Sequence, residues 1–278
     1  MKYITKQDVK KLKLPKRDPK TKKGDFGKVL LVGGSPDYVG ALALAGIAAL
    51  RSGVDIVTVV APAKVAWALN TLAPDLITKK YDCMYFDKKH AKAVARFAKD
   101  FDCVLIGNGI GRRSHLFCIE LIKQLSAKKK PIVIDADAIK AISLKDVKGA
   151  ILTPHKREFL TLLENTRIRK LQLKKHINDN VIVIKGNVDV IYSKEKIKYN
   201  KTGNPAMTVG GTGDILAGLA AGFYAQTNDS FGSAMAAAYI NGLCGDVVRG
   251  DVGAGLIASD MLKKLAYAID ETFGKKKK

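Results

Sequence analysis

Short apolar runs alternate with longer helical patterns through the first two thirds of the chain. The runs are apolar at nearly every position and end in glycine, proline or an acidic residue, which is typical of parallel strands buried on both faces. We predict strands at 28–34, 54–61, 103–106, 132–135 and 150–153, and helices at 40–52, 63–69, 114–128 and 157–163. This regular succession of strand, turn and helix predicts an α/β fold with a mainly parallel central sheet and helices on both faces.

The pattern changes after residue 180. Two apolar runs at 181–185 and 188–192, joined through Gly186-Asn187, predict a hairpin, and 196–200 predicts a further strand. The rest of the chain is mostly helical in pattern, with helices predicted at 212–226, 230–248 and 256–272. Because there is no internal repeat and no long linker, we predict one domain over 1–274. The lysine tail at 275–278 is expected to be disordered.

The chain is strongly basic, with 48 Lys and Arg against 26 Asp and Glu and a net charge of +22. Residues 1–28 and 275–278 supply 12 of these charges, and no aromatic residues alternate with the lysines as they would on a nucleic-acid stacking platform. A solvated basic surface is therefore the first interpretation. A field that attracts polyanionic small substrates comes second, and nucleic-acid binding is the least favoured.

Neither the apolar runs nor the cysteines indicate a secreted or membrane protein. No apolar run reaches the roughly 18 residues of a membrane helix, and the lysine-rich N-terminus lacks the apolar stretch of a signal peptide. The four cysteines, Cys83, Cys103, Cys118 and Cys244, are scattered and show no metal or redox spacing. We predict a cytoplasmic protein with reduced, mostly buried thiols.

The segment 205–214 carries the strongest functional signal, because its glycines open the helix predicted from 212. The first N–H groups of a helix lack partners and lie at the positive end of its dipole, so Gly211, Thr212 and Gly213 predict an anion hole for phosphate. A loop and helix start without a ligand is the alternative. Asp214 among such N–H groups favours a base that faces a hydroxyl about to receive a phosphoryl group. We expect the helix dipole to keep Asp214 ionised at neutral pH.

Two glycine-rich or acidic turns follow predicted strands. Asp135 and Asp137 suit a hydrated Mg²⁺ or a water network, with capping of the next turn as the alternative. The run Gly107-x-Gly109-x-Gly111 allows the backbone to approach a ligand closely, although a tight turn explains it equally well. Because ligands of open α/β sheets bind beyond the carboxyl ends of the strands, we expect these turns to share one cleft.

His155 and Lys185 stand at the ends of two later strands. His155 precedes a predicted helix with Glu158 near its N3 position, so it is either a ligand contact or a structural histidine. Lys185 ends a buried strand and needs an anion or a carboxylate as partner. Phosphate is the natural candidate, and surface snorkelling is the alternative. The glycine spacings match neither the dinucleotide fingerprint nor the P-loop, which argues against enzymes of those two classes.

Several of these motifs occur in a fixed order over about residues 20–272. The opening Lys23-Gly24-Asp25-Phe26-Gly27-Lys28-Val29-Leu30, followed by Gly33-Gly34-Ser35-Pro36 and Gly40-Ala41, resembles that of the NAD(P)H-hydrate dehydratases, members of the ribokinase-like superfamily. Similar in order and spacing are Gly107-x-Gly109-x-Gly111, Asp135-Ala136-Asp137-Ala138, Thr153-Pro154-His155-x-x-Glu158, Val183-Ile184-Lys185-Gly186 and 203–214. The ordered set is specific, and the resemblance implies a ribokinase-like fold.

The resemblance implies an enzyme that repairs NADH and NADPH hydrated on the nicotinamide ring. Enzymes of this family phosphorylate the ring hydroxyl of the S epimer with ADP or ATP, then eliminate phosphate to restore the dihydropyridine. The resemblance implies Asp214 as the catalytic base, with the hydrated dinucleotide in contact with Ala41, Gly109, His155 and Asp214. The implied nucleotide contacts are Lys185, Gly186, Asn187, Val188, Asp189 and Gly213, with Mg²⁺ bridged mainly by the nucleotide phosphates.

The resemblance also implies a homo-oligomer, with a tetramer favoured. Many microbial relatives are fused to an N-terminal epimerase domain. Because only about 27 residues precede the first predicted strand, we expect the epimerase to be a separate protein. Two positions depart from the family pattern: Lys22 stands where His is common, and Asn108 stands where Pro is common. We expect neither to touch the implied base, so both should affect local geometry more than activity.

Two other functions stay open. A small-molecule kinase of the same superfamily, acting on a thiazole or pyrimidine vitamin precursor, would share the Gly-Asp helix start. The Lys-Gly-Asp-Phe-Gly opening and the Thr-Pro-His motif favour the dehydratase. A non-enzymatic polyanion-binding protein would account for the charge of +22 and would bind with a steep salt dependence. ADP is expected to be the better phosphoryl donor, since microbial members of the family typically use it.

Overall fold

A computed structural model describes residues 1–274, in which nine strands form one sheet. In chain order these are β1 Lys28–Val32, β2 Ile56–Pro62, β3 Ile77–Tyr81, β4 Cys103–Ile106, β5 Ile132–Ile134, β6 Ala150–Leu152, β7 Val181–Ile184, β8 Asp189–Tyr192 and β9 Ile197–Asn200. Their spatial order is β3-β2-β1-β4-β5-β6-β7-β8-β9. Strands β1 to β7 pair in parallel, and β8 and β9 extend the sheet in antiparallel pairs. The predicted mainly parallel sheet and the hairpin are confirmed.

Helices cover both faces of this sheet. The described residues form eleven α-helices: α1 Lys6–Lys10, α2 Gly40–Arg51, α3 Ala63–Leu72, α4 Ala91–Phe97, α5 His115–Ala127, α6 Ala136–Ala141, α7 Lys156–Thr166, α8 Leu173–His176, α9 Thr212–Thr227, α10 Ser230–Val252 and α11 Ala258–Phe273. Side chains of β1 alternate between the faces. Val29 and Leu31 belong to one apolar core with α2, α9, α10 and α11, whereas Leu30 and Val32 join another with α4 to α8. The predicted layering is confirmed.

The sequence pattern missed an edge strand and four short helices. Strand β3 carries Lys79 and Lys80, and all its residues are exposed or half-buried, so no apolar run marks it. Lysines on an edge strand hinder pairing with another chain. Helices α1, α4, α6 and α8 also fall outside the predicted helical segments. The lysine tail predicted at 275–278 lies outside the described residues, and the single domain over 1–274 stays a prediction.

The cysteines have the environments expected of structural thiols. Cys103, Cys118 and Cys244 are buried, Cys83 is half-buried, and all four are unbridged. Burial raises the pKa of the Cys244 thiol to about 12, which keeps it protonated and unreactive. Within residues 1–274, no helix combines the length and the apolar character needed to cross a membrane.

The turns that leave β1, β4 and β5 pack against one another at the carboxyl edge of the sheet. A Cβ on Gly33 would overlap the carbonyl oxygen of Asn108, and the Gly34 N–H donates to that same oxygen at 3.0 Å. Gly107 has φ +122°, and a Cβ there would overlap the carbonyl oxygen of Asp135. These glycines allow the turns to converge on one place, as expected for the ligand side of the sheet.

Candidate active site

Asp214 lies in the first turn of α9, directly after the glycine cluster. The N-cap residue Gly211 has φ +99°, and its carbonyl accepts the first helical bond, from the Ile215 N–H at 3.1 Å. Thr212 Oγ1 donates to the carbonyl oxygen of Met207 at 3.0 Å and so secures the preceding loop. No side chain of the described residues caps this helix at its N-cap. The first-turn N–H groups therefore suit the anion hole predicted for them.

A carboxamide joins Asp214 to a second carboxylate. Asn108 Nδ2 donates to Asp214 Oδ1 at 2.6 Å and to Asp135 Oδ2 at 3.0 Å. Asn108 and Asp135 are only 1% and 2% exposed, so both bonds are shielded from water. Asp135 Oδ1 in turn accepts a bond from Thr153 Oγ1 at 2.8 Å. One hydrogen-bonded group therefore links the ends of β4, β5 and β6 to the start of α9.

Lys185, directly after β7, supplies the positive charge of this group. Its Nζ lies 3.1 Å from Asp135 Oδ1, so its partner in the chain is a carboxylate, and the snorkelling alternative is wrong. The ammonium also lies against Gly213, where a Cβ would be 3.2 Å from Nζ. Burial acts to lower the pKa of Lys185, but the carboxylates of Asp135, Glu158 and Asp214 raise it above its ordinary value. A charged ammonium beside the first turn of α9 is suited to bind phosphate.

The expectation that Asp214 is fully ionised at neutral pH is wrong. Burial and the nearby Asp135 carboxylate raise its pKa to about 7, and Glu158 adds to that rise. The hydrogen bond from Asn108 and the charge of Lys185 act in the opposite direction. Desolvation and like charge therefore outweigh the position in the first helical turn. A carboxyl whose pKa lies near neutrality is well matched to general base catalysis.

Asp135 and Asp137, for which a hydrated Mg²⁺, a water network or capping stayed open, each have hydrogen-bond partners within the chain. The oxygens of buried Asp135 already accept the bonds described above, and its side chain does not cap α6. Asp137 accepts bonds from Lys140 Nζ at 2.9 Å and from the Gly111 N–H at 3.2 Å. Among residues 1–274, no group of three or more His, Cys, Asp or Glu side chains could hold a metal ion. The residues present therefore do not fit a dedicated magnesium cage.

His155 forms the cap of helix α7. Its Nδ1 accepts bonds from the N–H groups of Arg157 at 3.1 Å and Glu158 at 3.2 Å, while Glu158 Oε2 accepts from the His155 N–H at 3.0 Å. Glu158 thus occupies the predicted N3 position of a capping box. Because Nδ1 is an acceptor, the neutral ring carries its proton on Nε2, which lies 3.4 Å from Glu158 Oε1. The side chain is 49% exposed, so this structural role is compatible with a ligand contact.

Ala41 and Gly109, two predicted substrate contacts, lie side by side. A Cβ on Gly109 would be 3.3 Å from the Ala41 Cβ and 2.9 Å from the Cβ of Tyr38. Gly109 has φ +63° and directly follows Asn108 in the turn after β4. Ala41 therefore lies against the residue that directly follows Asn108, a member of the group around Asp214.

The predicted nucleotide segment 186–189 connects β7 to β8. Residues 186–188 are exposed. The Gly186 N–H donates to Asp189 Oδ1 at 3.0 Å, and Asn200 Nδ2 donates to Asp189 Oδ2 at 3.1 Å. Asp189 thus stabilises the hairpin, while the three residues before it face solvent. Lys185 links this turn to the group around Asp214.

Sequence reasoning missed Asn108 and Thr153 as members of the group. The expectation that Asn108, where proline is common, does not touch the base is wrong, because its Nδ2 donates to Asp214 Oδ1. Thr153 was identified only as part of the Thr-Pro-His motif. Each directly follows or nearly follows a buried strand at the carboxyl edge of the sheet. A polar residue just after a buried strand is the signal that could have identified both.

The Lys-Gly-Asp-Phe-Gly opening lies elsewhere, at the amino edge of the sheet before β1. Asp55 Oδ2 accepts bonds from the N–H groups of Gly24 at 2.8 Å and Phe26 at 3.0 Å. Arg17 Nη2 donates to Asp55 Oδ1 at 2.8 Å and closes the arrangement. This motif therefore anchors the N-terminal segment and takes no direct part in the group around Asp214.

Comparisons with known proteins show the family to which this chain belongs. A family model described as NAD(P)H-hydrate dehydratase matches residues 29–266. The bifunctional NAD(P)H-hydrate repair enzyme Nnr of Methanothermobacter thermautotrophicus is 38% identical over 276 residues, covering 94% of this chain and 53% of that protein. The ADP-dependent (S)-NAD(P)H-hydrate dehydratase of Nitrosopumilus maritimus is 33% identical over 279 residues, covering 95% of this chain and 96% of that protein. The chain belongs to the NAD(P)H-hydrate dehydratase family.

A solved structure shows the same fold. The ADP/ATP-dependent NAD(P)H-hydrate dehydratase of Bacillus subtilis, co-crystallised with ATP and Mg²⁺, matches with a TM-score of 0.81 and 26% identity, covering 98% of each chain. The ribokinase-like fold implied by the sequence resemblance is confirmed. The chain spans about half the length of the bifunctional relatives that it matches.

Proposed function

We propose that this protein dehydrates (6S)-NADHX and (6S)-NADPHX with a nucleotide as phosphoryl donor, and so restores NADH and NADPH. The observation that carries the proposal is the joint position of Asp214 and Lys185. A carboxyl with a pKa of about 7 and an ammonium group meet at the first turn of α9. A substrate hydroxyl bound to Asp214 and a phosphoryl group bound to the adjacent N–H groups would then lie next to each other. The family supplies the substrate class.

The first chemical step is phosphoryl transfer to the ring hydroxyl. Asp214 accepts the hydroxyl proton as the new P–O bond forms and the bond from phosphorus to the donor's bridging oxygen breaks. Lys185 Nζ and the N–H groups of Gly211, Thr212 and Gly213 stabilise negative charge on the transferred group. In the second step the ring C–O bond breaks, phosphate leaves with the bonding electrons, and a neighbouring ring carbon loses a proton. The products are NAD(P)H, phosphate and the nucleotide shortened by one phosphate.

The two ligands occupy different parts of this edge. For the nucleotide we propose the contacts Lys185, Gly186, Asn187, Val188, Asp189 and Gly213, and for the hydrated dinucleotide Ala41, Gly109, His155 and Asp214. Mg²⁺ would neutralise the donor phosphates. Because the described residues form no group of three or more metal ligands, we propose that Mg²⁺ is held mainly by the nucleotide phosphates. ADP is the proposed donor, supported by the name of the Nitrosopumilus relative. A cytoplasmic tetramer completes the proposal.

The test mixes the purified protein with hydrated NADH and with ADP, ATP or no nucleotide. Absorbance in the reduced-nicotinamide band and release of phosphate are followed together. We expect nucleotide-dependent restoration of NADH with one phosphate released per NADH formed, faster with ADP. A vitamin-precursor kinase would leave hydrated NADH untouched, and a polyanion-binding protein would turn over neither substrate. No restoration with either nucleotide would reject the proposal.

A further inference from the structure

Asn108 uses both hydrogens of its amide nitrogen on carboxylates. Nδ2 lies 2.6 Å from Asp214 Oδ1 and 3.0 Å from Asp135 Oδ2. Its Oδ1 is buried and accepts no hydrogen bond from the residues that the structure describes. Turning the amide over would place Oδ1 against two carboxylate oxygens, so repulsion fixes the observed orientation. A buried acceptor without a partner lowers stability, so stability alone does not account for a carboxamide here.

We propose that Asn108 is the positioning residue of this site, because it fixes Oδ1 of Asp214 beside Asp135 and leaves Oδ2 to accept the substrate hydroxyl proton. Within residues 1–274, the bond from Asn108 is the one side-chain hydrogen bond that Asp214 receives, and it is made to Oδ1. The inference rests on the proposed function, since it assigns an atom of the proposed base. It concerns a residue that departs from the proline common at this position in the family that the sequence resembles.

The charges around Asp214 determine what loss of the amide would do. The carboxylates of Asp135, after β5, and Glu158, in α7, favour the protonated form of Asp214. Lys185, after β7, and the amide of Asn108 favour the ionised form. Without Nδ2, Asp214 and Asp135 would face each other with no N–H group between them. Asp214 would then keep its proton to higher pH, and the base would be available over a narrower pH range.

The experiment compares the pH dependence of kcat/KM in the wild type and in Asn108→Leu, which has a similar volume and no donor. The wild type is expected to lose activity below about pH 7, the pKa of Asp214. In Asn108→Leu we expect this acidic limb to move up by about one pH unit or more, the effect of one lost charge-assisted hydrogen bond. Asn108→Pro is the second variant, since the family tolerates proline in this turn, and it should shift the limb in the same direction. The substrates ionise in the same way in every assay, so a shift of the acidic limb between variants comes from the enzyme.

Asn180 offers a matched control at the opposite edge of the sheet. It is fully buried; its Oδ1 accepts from the Ala150 N–H at 2.9 Å, and its Nδ2 donates to the Val147 carbonyl at 3.0 Å. Asn180→Leu should lower the Tm without moving the acidic limb. A shift in Asn180→Leu equal to that in Asn108→Leu would show general destabilisation and would overturn the proposal.

A carbon NMR titration of the Asp214 carboxyl, assigned by its loss in Asp214→Asn, measures the same pKa without turnover. We expect it to rise in both Asn108 variants. If the wild type does not restore NADH, the proposed function fails, while this titration still tests the action of Asn108 on Asp214. An unmoved carboxyl titration in both folded Asn108 variants would overturn the assignment.

Discussion

Replacing Asp214 with Asn should lower activity and raise stability. Asparagine keeps the size of the side chain and an oxygen that can accept the bond from Asn108 Nδ2, but it cannot take the hydroxyl proton. We therefore expect kcat to fall by about 10²–10⁴-fold, the usual contribution of a general base. Nucleotide binding depends on Lys185 and the backbone of the α9 start, so the KM for nucleotide should change by no more than about threefold.

The gain in stability follows from the raised pKa of Asp214. Its carboxyl has an ordinary pKa of 3.8 when unfolded and about 7 when folded. Its contribution to stability is complete below about pH 3.8 and is lost as the pH rises through about 7. This difference corresponds to about 4 kcal/mol at most, and partial exposure of the side chain reduces it to about 2–4 kcal/mol. Asparagine at position 214 carries no charge, so Asp214→Asn does not lose this contribution to stability as the pH rises.

Urea unfolding between about pH 4 and 8 measures this difference. Relative to the wild type, Asp214→Asn should gain about 2–4 kcal/mol across that range. Asp55→Asn is the matched control, because Asp55 lies at the amino edge. Although burial acts to raise the pKa of Asp55, the N–H groups of Phe26 and Gly24 and the Arg17 guanidinium hold it below its ordinary value. That variant should lose stability at neutral pH and keep its turnover.

Two results would refute this reasoning. If Asp214→Asn kept more than about a third of wild-type turnover, Asp214 would be a helix-start residue and not the base. If the stability difference between the two proteins did not change with pH, burial and Asp135 would not raise the pKa of Asp214 as described.

Three further results are expected. Lys185→Ala should raise the KM for nucleotide about 10- to 100-fold more than the KM for hydrated NADH. It should also lower the Tm, since Asp135 loses its counter-charge. An equal rise in both KM values would indicate a purely structural lysine. Paired initial rates should favour ADP over ATP, and a clear preference for ATP would contradict this. His155→Ala should lower the free energy of unfolding by about 1 kcal/mol, while His155→Asn, which can cap a helix, should not. A raised KM for hydrated NADH in both variants would support the ligand contact, and an unchanged KM in both would reject it.

The architecture could be predicted because it depends on local patterns. Buried parallel strands leave continuous apolar runs, and the hairpin is marked by Gly186-Asn187, so these elements are close to their predicted bounds. Strand β3 could not be found in this way. One neighbour, β2, holds it, and its exposed Lys79 and Lys80 carry no hydrophobic signal. Only the pairing partner distinguishes such a segment from a loop.

Several residues of the candidate site could be predicted from the sequence, but the contacts between them could not. Glycine clusters and strand ends indicated Asp214, Asp135 and Lys185. The bond from Asn108 to Asp214, however, joins residues 106 positions apart, and that from Lys185 to Asp135 joins residues 50 apart. Position in a helical turn is visible in a sequence, whereas burial and approaching charges are not. The pKa of Asp214 was mispredicted for that reason.

The charge balance of the site requires Asp214, Lys185 and Asn108 to act together. The carboxylates of Asp135 and Glu158 raise the pKa of Asp214, and Lys185, which is bonded to Asp135, acts in the opposite direction. A bound phosphoryl group would add negative charge beside Asp214 and favour its protonated form further. The Lys185 ammonium, the first-turn N–H groups of α9 and the Asn108 amide oppose that effect. A base with a pKa near neutrality thus results from opposing contributions of separate elements, and removing any one of them should change when the base is available.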